Sequence, residues 1–177
     1  MTRSVAIVAT ALALALLAGC GGSDSNTSTD PTTSSADPGA ARIVSAASLR
    51  ETASGAVPIY WAGDRAGTEL ELSRPDQDRT YVRYLTGGAK AGDKRAGFLT
   101  IGTYAQPNAV ANLRRQAKRA GGTIARAPGN ATVYYDRANS QSIYLAYPGA
   151  PAEVEVFDPS FERALRLVES GQIVAVE

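Results

Sequence analysis

Short strand-like segments separated by turn residues dominate this chain from about residue 57 onward. Leu70 and Leu72 alternate with acidic residues, which is typical of a strand with one buried face. The segment 143–147 is apolar at both alternating sets of positions, which indicates a central strand covered on each side. The sequence predicts strands over 58–61, 68–73, 80–85, 98–104, 123–126, 132–136, 142–147, 153–157 and 173–176.

Three segments have the features of helices. Ser45 is a candidate N-cap for a helix that ends near residue 53. A second helix is predicted over 107–120, with proline in its first turn and two glycines after its end. A third is predicted to begin with Asp158 as N-cap and to end at Gly171. The expected fold is therefore a single α+β domain with a largely antiparallel sheet of six to eight strands and two or three helices.

The second and third helices each follow a strand, begin at a proline, end at a glycine and precede another strand. This shared order has two explanations. It indicates either a weak internal duplication into two βαβ-like halves, or the same capping rules acting twice. The capping explanation is the simpler one.

The N-terminal segment has the organisation of a secretory signal. Arg3 precedes an apolar stretch over 5–17, which is shorter than a transmembrane span. The run Leu17-Ala18-Gly19-Cys20 then places small residues directly before the only cysteine. This run resembles the lipobox of bacterial lipoproteins. The resemblance implies a signal peptide over 1–19, acylation of Cys20 by palmitate-type chains, and anchoring to the bilayer at the outer face of the bacterial cell membrane. The alternatives are cleavage elsewhere and an uncleaved anchor.

Residues 20–41 differ in composition from the rest of the chain. Beyond Cys20, this segment is rich in Ser, Thr, Asp and Gly and contains no aromatic or large aliphatic residue. It cannot bury enough apolar surface to offset the entropy of ordering, so we expect a disordered tether. Its Ser and Thr residues are candidate sites of glycosylation. The domain organisation is then a signal peptide over 1–19, a lipidated tether over 20–41 and a folded domain over 42–177.

Composition excludes several functional classes. The 18 basic residues nearly balance the 17 acidic residues, which gives no global field for binding nucleic acid. The chain has no histidine and one cysteine, which removes histidine-assisted nucleophiles and thiolate metal clusters. We therefore expect no cofactor, no metal site and no partner among nucleic acids, and we assign no catalytic residue.

Two loops carry weak resemblances to ligand-binding motifs. Asp76 and Asp78 have a spacing found in calcium loops, but Tyr81 and Gly87 occupy the positions that need Gly and Glu. A polar hairpin turn is the preferred interpretation. The glycine-rich segment 86–97 lacks the Gly-Lys-Ser/Thr of a phosphate-binding loop and leads into a strand. We expect it to be a mobile surface loop.

The second helix presents a basic face formed by Arg114, Arg115, Lys118 and Arg119. These residues are candidate contacts for a polyanion or a protein partner, and the alternative is an ordinary solvated face. The eight tyrosines lie mostly in predicted strands, where they either pack across strands or bind a glycan or lipid.

Several strand-like segments, including residues 57–61, 81–85, 101–104, 144–149 and 154–159, resemble an uncharacterised family of exported domains from high-GC bacteria. The resemblance covers most of 57–177 and implies a shared fold, but no activity or site residues.

The leading functional hypothesis is a membrane-anchored envelope module without enzymatic activity. It would bind an envelope lipid, a glycan or a protein. A carrier would contain an apolar cavity beneath the sheet, whereas an interaction module would have a filled core. The alternative is a hydrolase of cell-wall glycan that uses paired carboxylates across a cleft. Glu69, Glu71, Glu153 and Glu155 alternate with apolar residues, so we expect them on exposed strand faces.

Overall fold

The computed structural model describes residues 39–177, so the signal peptide, Cys20 and most of the tether lie outside the described residues. The strands are β1 Arg42–Val44, β2 Tyr60–Trp61, β3 Glu69–Ser73, β4 Arg79–Leu85, β5 Leu99–Ala105, β6 Thr123–Ala127, β7 Ala131–Tyr135, β8 Ser142–Ala146, β9 Ala152–Phe157 and β10 Val174–Ala175. The helices are α1 Ala46–Thr52, α2 Ala109–Ala120 and α3 Phe161–Glu169.

Eight of these strands form one sheet in the order β1-β3-β4-β5-β9-β8-β7-β6. Every neighbouring pair in this sheet is antiparallel. The strands β2 and β10 pair with each other in a separate two-stranded sheet. The prediction of a single α+β domain with a largely antiparallel sheet is confirmed.

Strand alternation gives the large sheet two different faces. The first face is apolar and forms the main core with α1, α3 and the β2/β10 pair. Leu145 and Val156 lie on this face, whereas Tyr144 and Glu155 lie on the second face. On the second face, α2 packs against β7 and β8 through Leu113 and neighbouring alanines. The strand β8 therefore contacts a helix on each side, as its apolar pattern predicts.

Two helix starts differ from their predictions. The helix α2 begins after Asn108, which has a left-handed φ of 57° and makes no side-chain cap, so Pro107 precedes the helix. The predicted N-cap Asp158 is wrong because Ser160 occupies that position and accepts a hydrogen bond from the Arg163 amide. Asp158, two residues before this N-cap, instead accepts the Ser160 amide at 2.7 Å.

The two strand–helix–strand segments do not form βαβ units. The strand after α2 is β6, which lies at the sheet edge and pairs only with β7. The strand after α3 is β10, which pairs with β2 outside the large sheet. No parallel strand pair joins either segment, so neither forms the βαβ-like half that an internal duplication would give. Among residues 39–177, no helix is long and apolar enough to cross a bilayer.

Candidate functional site

The second face of the central strands carries a row of tyrosines interrupted by a glycine and a glutamate. Strand register places Tyr81 beside Gly102, Gly102 beside Glu155, and Glu155 beside Tyr144. Tyr144 in turn lies opposite Tyr134 and stacks on it with a centroid distance of 6.2 Å. The helix α2 covers the Tyr134 end of this row, whereas no helix within residues 39–177 covers the Tyr81 end.

Gly102 allows the aromatic side chains around it to approach one another. A Cβ atom at this position would lie 3.1 Å from the Tyr104 ring and 3.2 Å from the Tyr81 ring. These distances are tighter than ordinary van der Waals contact, so the absence of a side chain leaves room for Tyr104 to fold back along its own strand. The Tyr81 and Tyr104 rings then meet edge to face, with centroids 6.0 Å apart.

Glu155 is held by two hydroxyl groups from different strands. Tyr104 donates its phenolic hydrogen bond to Oε2 at 2.5 Å, and Ser142 donates to Oε1 at 2.6 Å. The pKa of Tyr104 is raised, first by burial and then by its hydrogen bond to the carboxylate. We name this group, formed by Glu155, Tyr104, Ser142, Tyr81 and Gly102, the Glu155 cluster.

Two neighbours of the Glu155 cluster, Tyr144 and Glu153, have raised pKa values. Burial raises the pKa of Tyr144, and the negative charge of Glu155 adds to that shift. Burial also raises the pKa of Glu153, again with a contribution from Glu155, which lies two residues along the same strand and on the same face. The prediction that Glu153 and Glu155 are exposed is wrong, because both side chains are half-buried among neighbours on this face.

A small pocket of about 270 Å³ opens beside Glu155. Its walls contain groups of opposite charge, with Glu155 on β9, Arg83 on β4 and Arg95 in the β4–β5 loop, together with Thr100, Phe98 and Phe157. The guanidinium of Arg83 lies 5.1 Å from the centre of the Phe98 ring, which adds a cation–π contact. The pocket therefore offers a hydrogen-bond acceptor, a donor and aromatic surface within one small volume.

The segment between β4 and β5 is fastened to the second face by a buried ion pair. Glu71 is 1% exposed and accepts hydrogen bonds from Arg83 at 2.7 Å and from the Gly92 amide at 2.6 Å. Arg83 also donates to the backbone carbonyls of Asp93 and Arg95. The predicted exposure of Glu71 is wrong because this loop folds over it, whereas Glu69 is exposed as predicted. The loop lies mostly at the surface, as predicted, and Glu71 and Arg83 hold it at Gly92, Asp93 and Arg95, while its mobility stays a prediction.

The predicted basic residues Arg114, Arg115, Lys118 and Arg119 all lie on the exposed side of α2. Arg115 bonds to the Asn112 side chain, and none of the four forms an ion pair with a described residue. They remain together on one helix face, away from the members of the Glu155 cluster. Their contact with a polyanion or a partner stays a prediction.

The other sequence motifs have structural explanations. Asp76 accepts the Asp78 amide at 3.0 Å and pairs with Arg79, so this segment is a hairpin turn between β3 and β4. Within residues 39–177, no group of three or more Cys, Asp or Glu side chains lies close enough together to hold a metal ion.

Sequence reasoning did not identify Gly102, Arg83 or the partners of Glu155 as parts of one site. One signal was available in the sequence, because Gly102 interrupts a predicted strand, and glycine inside a strand often marks close approach of other groups. Its neighbours on adjacent strands could not be read from local pattern.

Comparison with known proteins does not assign the chain to a family, since no family model, curated protein or solved structure matches it. The resemblance to an uncharacterised exported family stays a prediction.

Proposed function

We propose that this chain is a membrane-anchored envelope lipoprotein whose folded part binds a neutral, hydroxyl-rich ligand, such as a glycan, without transforming it. The observation that carries the proposal is the arrangement of Glu155, whose two oxygens are each held by one hydroxyl donor beside an open pocket. Each carboxylate oxygen has a further lone pair, so Glu155 retains capacity to accept hydrogen bonds from a ligand.

The chemistry of the pocket favours a polar ligand without net charge. Glu155 is the one acidic group on its walls, and its two arginines, Arg83 and Arg95, already pair with carboxylates that do not line the pocket, Glu71 and Asp93. An anionic ligand would be repelled by Glu155 and would compete with those two carboxylates, whereas a cationic ligand would be repelled by the two guanidinium groups. Sugar hydroxyls donate to a carboxylate and accept from a guanidinium. Aromatic rings add flat apolar surface, which supports contact with the carbon-bound hydrogens of a sugar ring.

The size of the pocket also limits the ligand. Its volume of about 270 Å³ lies just under the roughly 300–1,000 Å³ typical of small-molecule sites. One ring of a glycan fits such a volume better than a long chain does. Further rings of the same glycan would extend towards the Tyr81 end of the row, which α2 does not cover.

A glycan hydrolase is the second candidate, and the raised pKa of Glu153 favours it. A carboxyl group that stays protonated to higher pH is suited to act as a general acid, with Glu155 as the second carboxylate. The arrangement differs from the expected one, however. Glu153 and Glu155 lie side by side on β9 and do not face each other across a cleft. Binding without hydrolysis is therefore our preferred function.

The test compares two glutamate variants on the same face of the sheet. The processed lipoprotein, held in phosphatidylcholine nanodiscs, is screened against an array of neutral oligosaccharides. Glu155→Gln removes the charge while keeping the volume of the side chain, and we expect it to abolish binding. Glu69→Gln is the matched control because Glu69 is exposed on the same face, and it should bind like the unaltered chain.

Three results separate the candidates. Equal binding by Glu155→Gln and Glu69→Gln would refute the Glu155 cluster as the ligand site. Absence of any neutral glycan ligand would refute the ligand class. Shortening of a labelled cell-wall glycan that disappears in Glu153→Gln would replace the binding function by the hydrolase.

The anchor is a separate part of the proposal. The lipobox-like run ending at Cys20 supports diacylation of that cysteine, since a thioether needs a sulfur nucleophile. Two acyl chains provide stable attachment because each buried methylene contributes roughly 0.8 kcal/mol. Cys20→Ser should eliminate incorporation of labelled palmitate and release the protein from membranes, whereas Ser23→Ala should change neither. Membrane retention with an unacylated Cys20 would overturn the assignment.

A further inference from the structure

A second groove, larger than the pocket beside Glu155, lies on the core side of the sheet, opposite the Glu155 cluster. It has a volume of about 770 Å³, which is within the range of small-molecule sites. The groove runs between α3 and the ends of β4 and β5. Its lining includes Tyr84, Leu99 and Leu167, three side chains that belong to the edge of the main core.

Three arginines line this groove from two separate elements. Arg65 comes from the connection between β2 and β3, and Arg163 and Arg166 come from α3. Two acidic residues, Asp158 and Glu169, also line it. The lining therefore has a net charge of one positive unit, and its arginines belong to two separate parts of the fold.

Arg163 is held in place by a buried carboxylate. Asp158 is 5% exposed, accepts from Arg163 Nε at 3.0 Å and from its terminal nitrogen at 2.7 Å, and also accepts the Ser160 amide. A carboxylate with these three donors fixes the direction of the guanidinium before any ligand arrives. Preorganisation of this kind lowers the entropic cost of binding.

Arg65 and Arg166 are not neutralised in the same way. Neither forms an ion pair within 4.0 Å with any residue from 39 to 177. Arg166 does help to lower the pKa of Glu162, although a backbone hydrogen bond is the larger cause of that shift. Both arginines are exposed, so their guanidinium groups are available to an acidic group entering the groove.

We propose that this groove binds an amphiphile with one acidic headgroup, with Arg65 and Arg166 contacting the acid and the core-edge side chains contacting the tail. Arginine suits this role because its planar fork matches phosphate and carboxylate oxygens. Tyr84, Leu99 and Leu167 supply the apolar part of a mixed lining, and a tail would contact the edges that these side chains present to the groove. The site is distinct from the Glu155 cluster and takes a ligand of different chemistry.

The experiment uses the processed lipoprotein in phosphatidylcholine nanodiscs and measures binding of octyl phosphate by calorimetry, with empty nanodiscs subtracted. Octanol tests the tail without the acid, inorganic phosphate tests the acid without the tail, and octanoate distinguishes a carboxylate from a phosphate headgroup. We expect octyl phosphate to bind at least tenfold more tightly than octanol and inorganic phosphate. Octanoate should bind more tightly than octanol if the site accepts any acidic headgroup. If octanoate binds only as tightly as octanol, the headgroup that the site accepts is phosphate and not carboxylate.

Two double variants locate the site. Arg65→Gln with Arg166→Gln should weaken octyl phosphate at least tenfold and leave octanol unchanged. Lys118→Gln with Arg119→Gln removes the same charge from α2, away from the groove, and should have no effect. All four positions are exposed, so both variants should keep the melting temperature of the parent chain.

Equal weakening by the two double variants would overturn the proposal, as would octanol binding as tightly as octyl phosphate. Inorganic phosphate binding as tightly as octyl phosphate would also overturn it, because the tail would then contribute nothing. Glu155→Gln should leave octyl phosphate binding unchanged, which separates this result from the outcome of the glycan experiment.

Discussion

Replacement of Glu71 by alanine should be one of the most destabilising substitutions on the second face of the sheet. The carboxylate is 1% exposed, forms an ion pair with Arg83 on β4 and accepts the Gly92 amide of the β4–β5 loop, so its removal breaks both of these connections. It also leaves the Arg83 guanidinium without its counter-charge in a site where the Arg83 side chain is only 17% exposed.

The expected loss of unfolding free energy depends on the interactions that Arg83 keeps after Glu71 is removed. Breaking a buried ion pair by removing one partner costs about 3–5 kcal/mol. Arg83 keeps hydrogen bonds to the carbonyls of Asp93 and Arg95 and some contact with solvent, which reduces the penalty. We therefore expect a loss near the lower limit, about 3 kcal/mol, or roughly 10 °C in the melting temperature of a domain of this size.

The assay is urea unfolding of the processed chain, followed by the fluorescence of Trp61, with Glu69→Ala as the control. Glu69 is on the same strand and the same face but is exposed, so its removal should change the free energy of unfolding by no more than about 0.5 kcal/mol. Replacing Glu71 by alanine and Arg83 by methionine together should recover part of the loss, because no unpaired charge then remains. If Glu71→Ala and Glu69→Ala unfold at the same urea concentration, the reasoning about the buried pair is wrong.

Two further substitutions test other parts of the fold. Gly171→Ala should lower the stability of the folded domain more than Gly67→Ala does. Both positions have left-handed φ values, which cost roughly 1–2 kcal/mol for a residue with a side chain. Only at Gly171 would an added Cβ also lie 2.8 Å from the Pro128 side chain. Equal losses in thermal melting would rule out the contact with Pro128. Glu153→Gln should raise the melting temperature at pH 7, because the raised pKa of Glu153 means that its charged form opposes folding above that pKa. This advantage should shrink as the pH falls from the raised pKa of folded Glu153 towards the ordinary value of about 4.5, and it should be lost below that value, where the carboxyl is protonated in both folded and unfolded chains. An advantage that is constant with pH would contradict the proposed role of burial and of Glu155.

The helix ends show which parts of the fold local sequence rules can predict. Ser45 caps α1 as predicted, because its hydroxyl accepts the amide of Ser48, only three residues away. The start of α3 was predicted two residues too early, because Asp158 and Ser160 are both good caps. Ser160 accepts the Arg163 amide as the cap, whereas Asp158 accepts from the side chain of Arg163, and local sequence does not distinguish these two roles.

The exposure of acidic strand residues shows where the local rules fail. Alternation correctly placed Leu70 and Leu72 in the core and Glu71 on the other face. It could not predict that a loop folds over that face, since Glu71 binds an amide 21 residues further along the chain. The same limit applies to Glu155, because alternation predicts its face but does not predict its neighbours.

The sequence by itself determined the succession of strands and helices after β1, the largely antiparallel character of the sheet and the lack of histidine-based chemistry, because periodicity, capping and composition depend on residues close together in the chain. The edge strand β1, Arg42–Val44, was not predicted. The tertiary structure decided which face of the sheet is covered, which carboxylates are buried and where the grooves lie. Tyr104 and Glu155 are 51 positions apart and meet only because β5 pairs with β9. Such contacts follow from strand order and register, which are set by the packing of the whole domain.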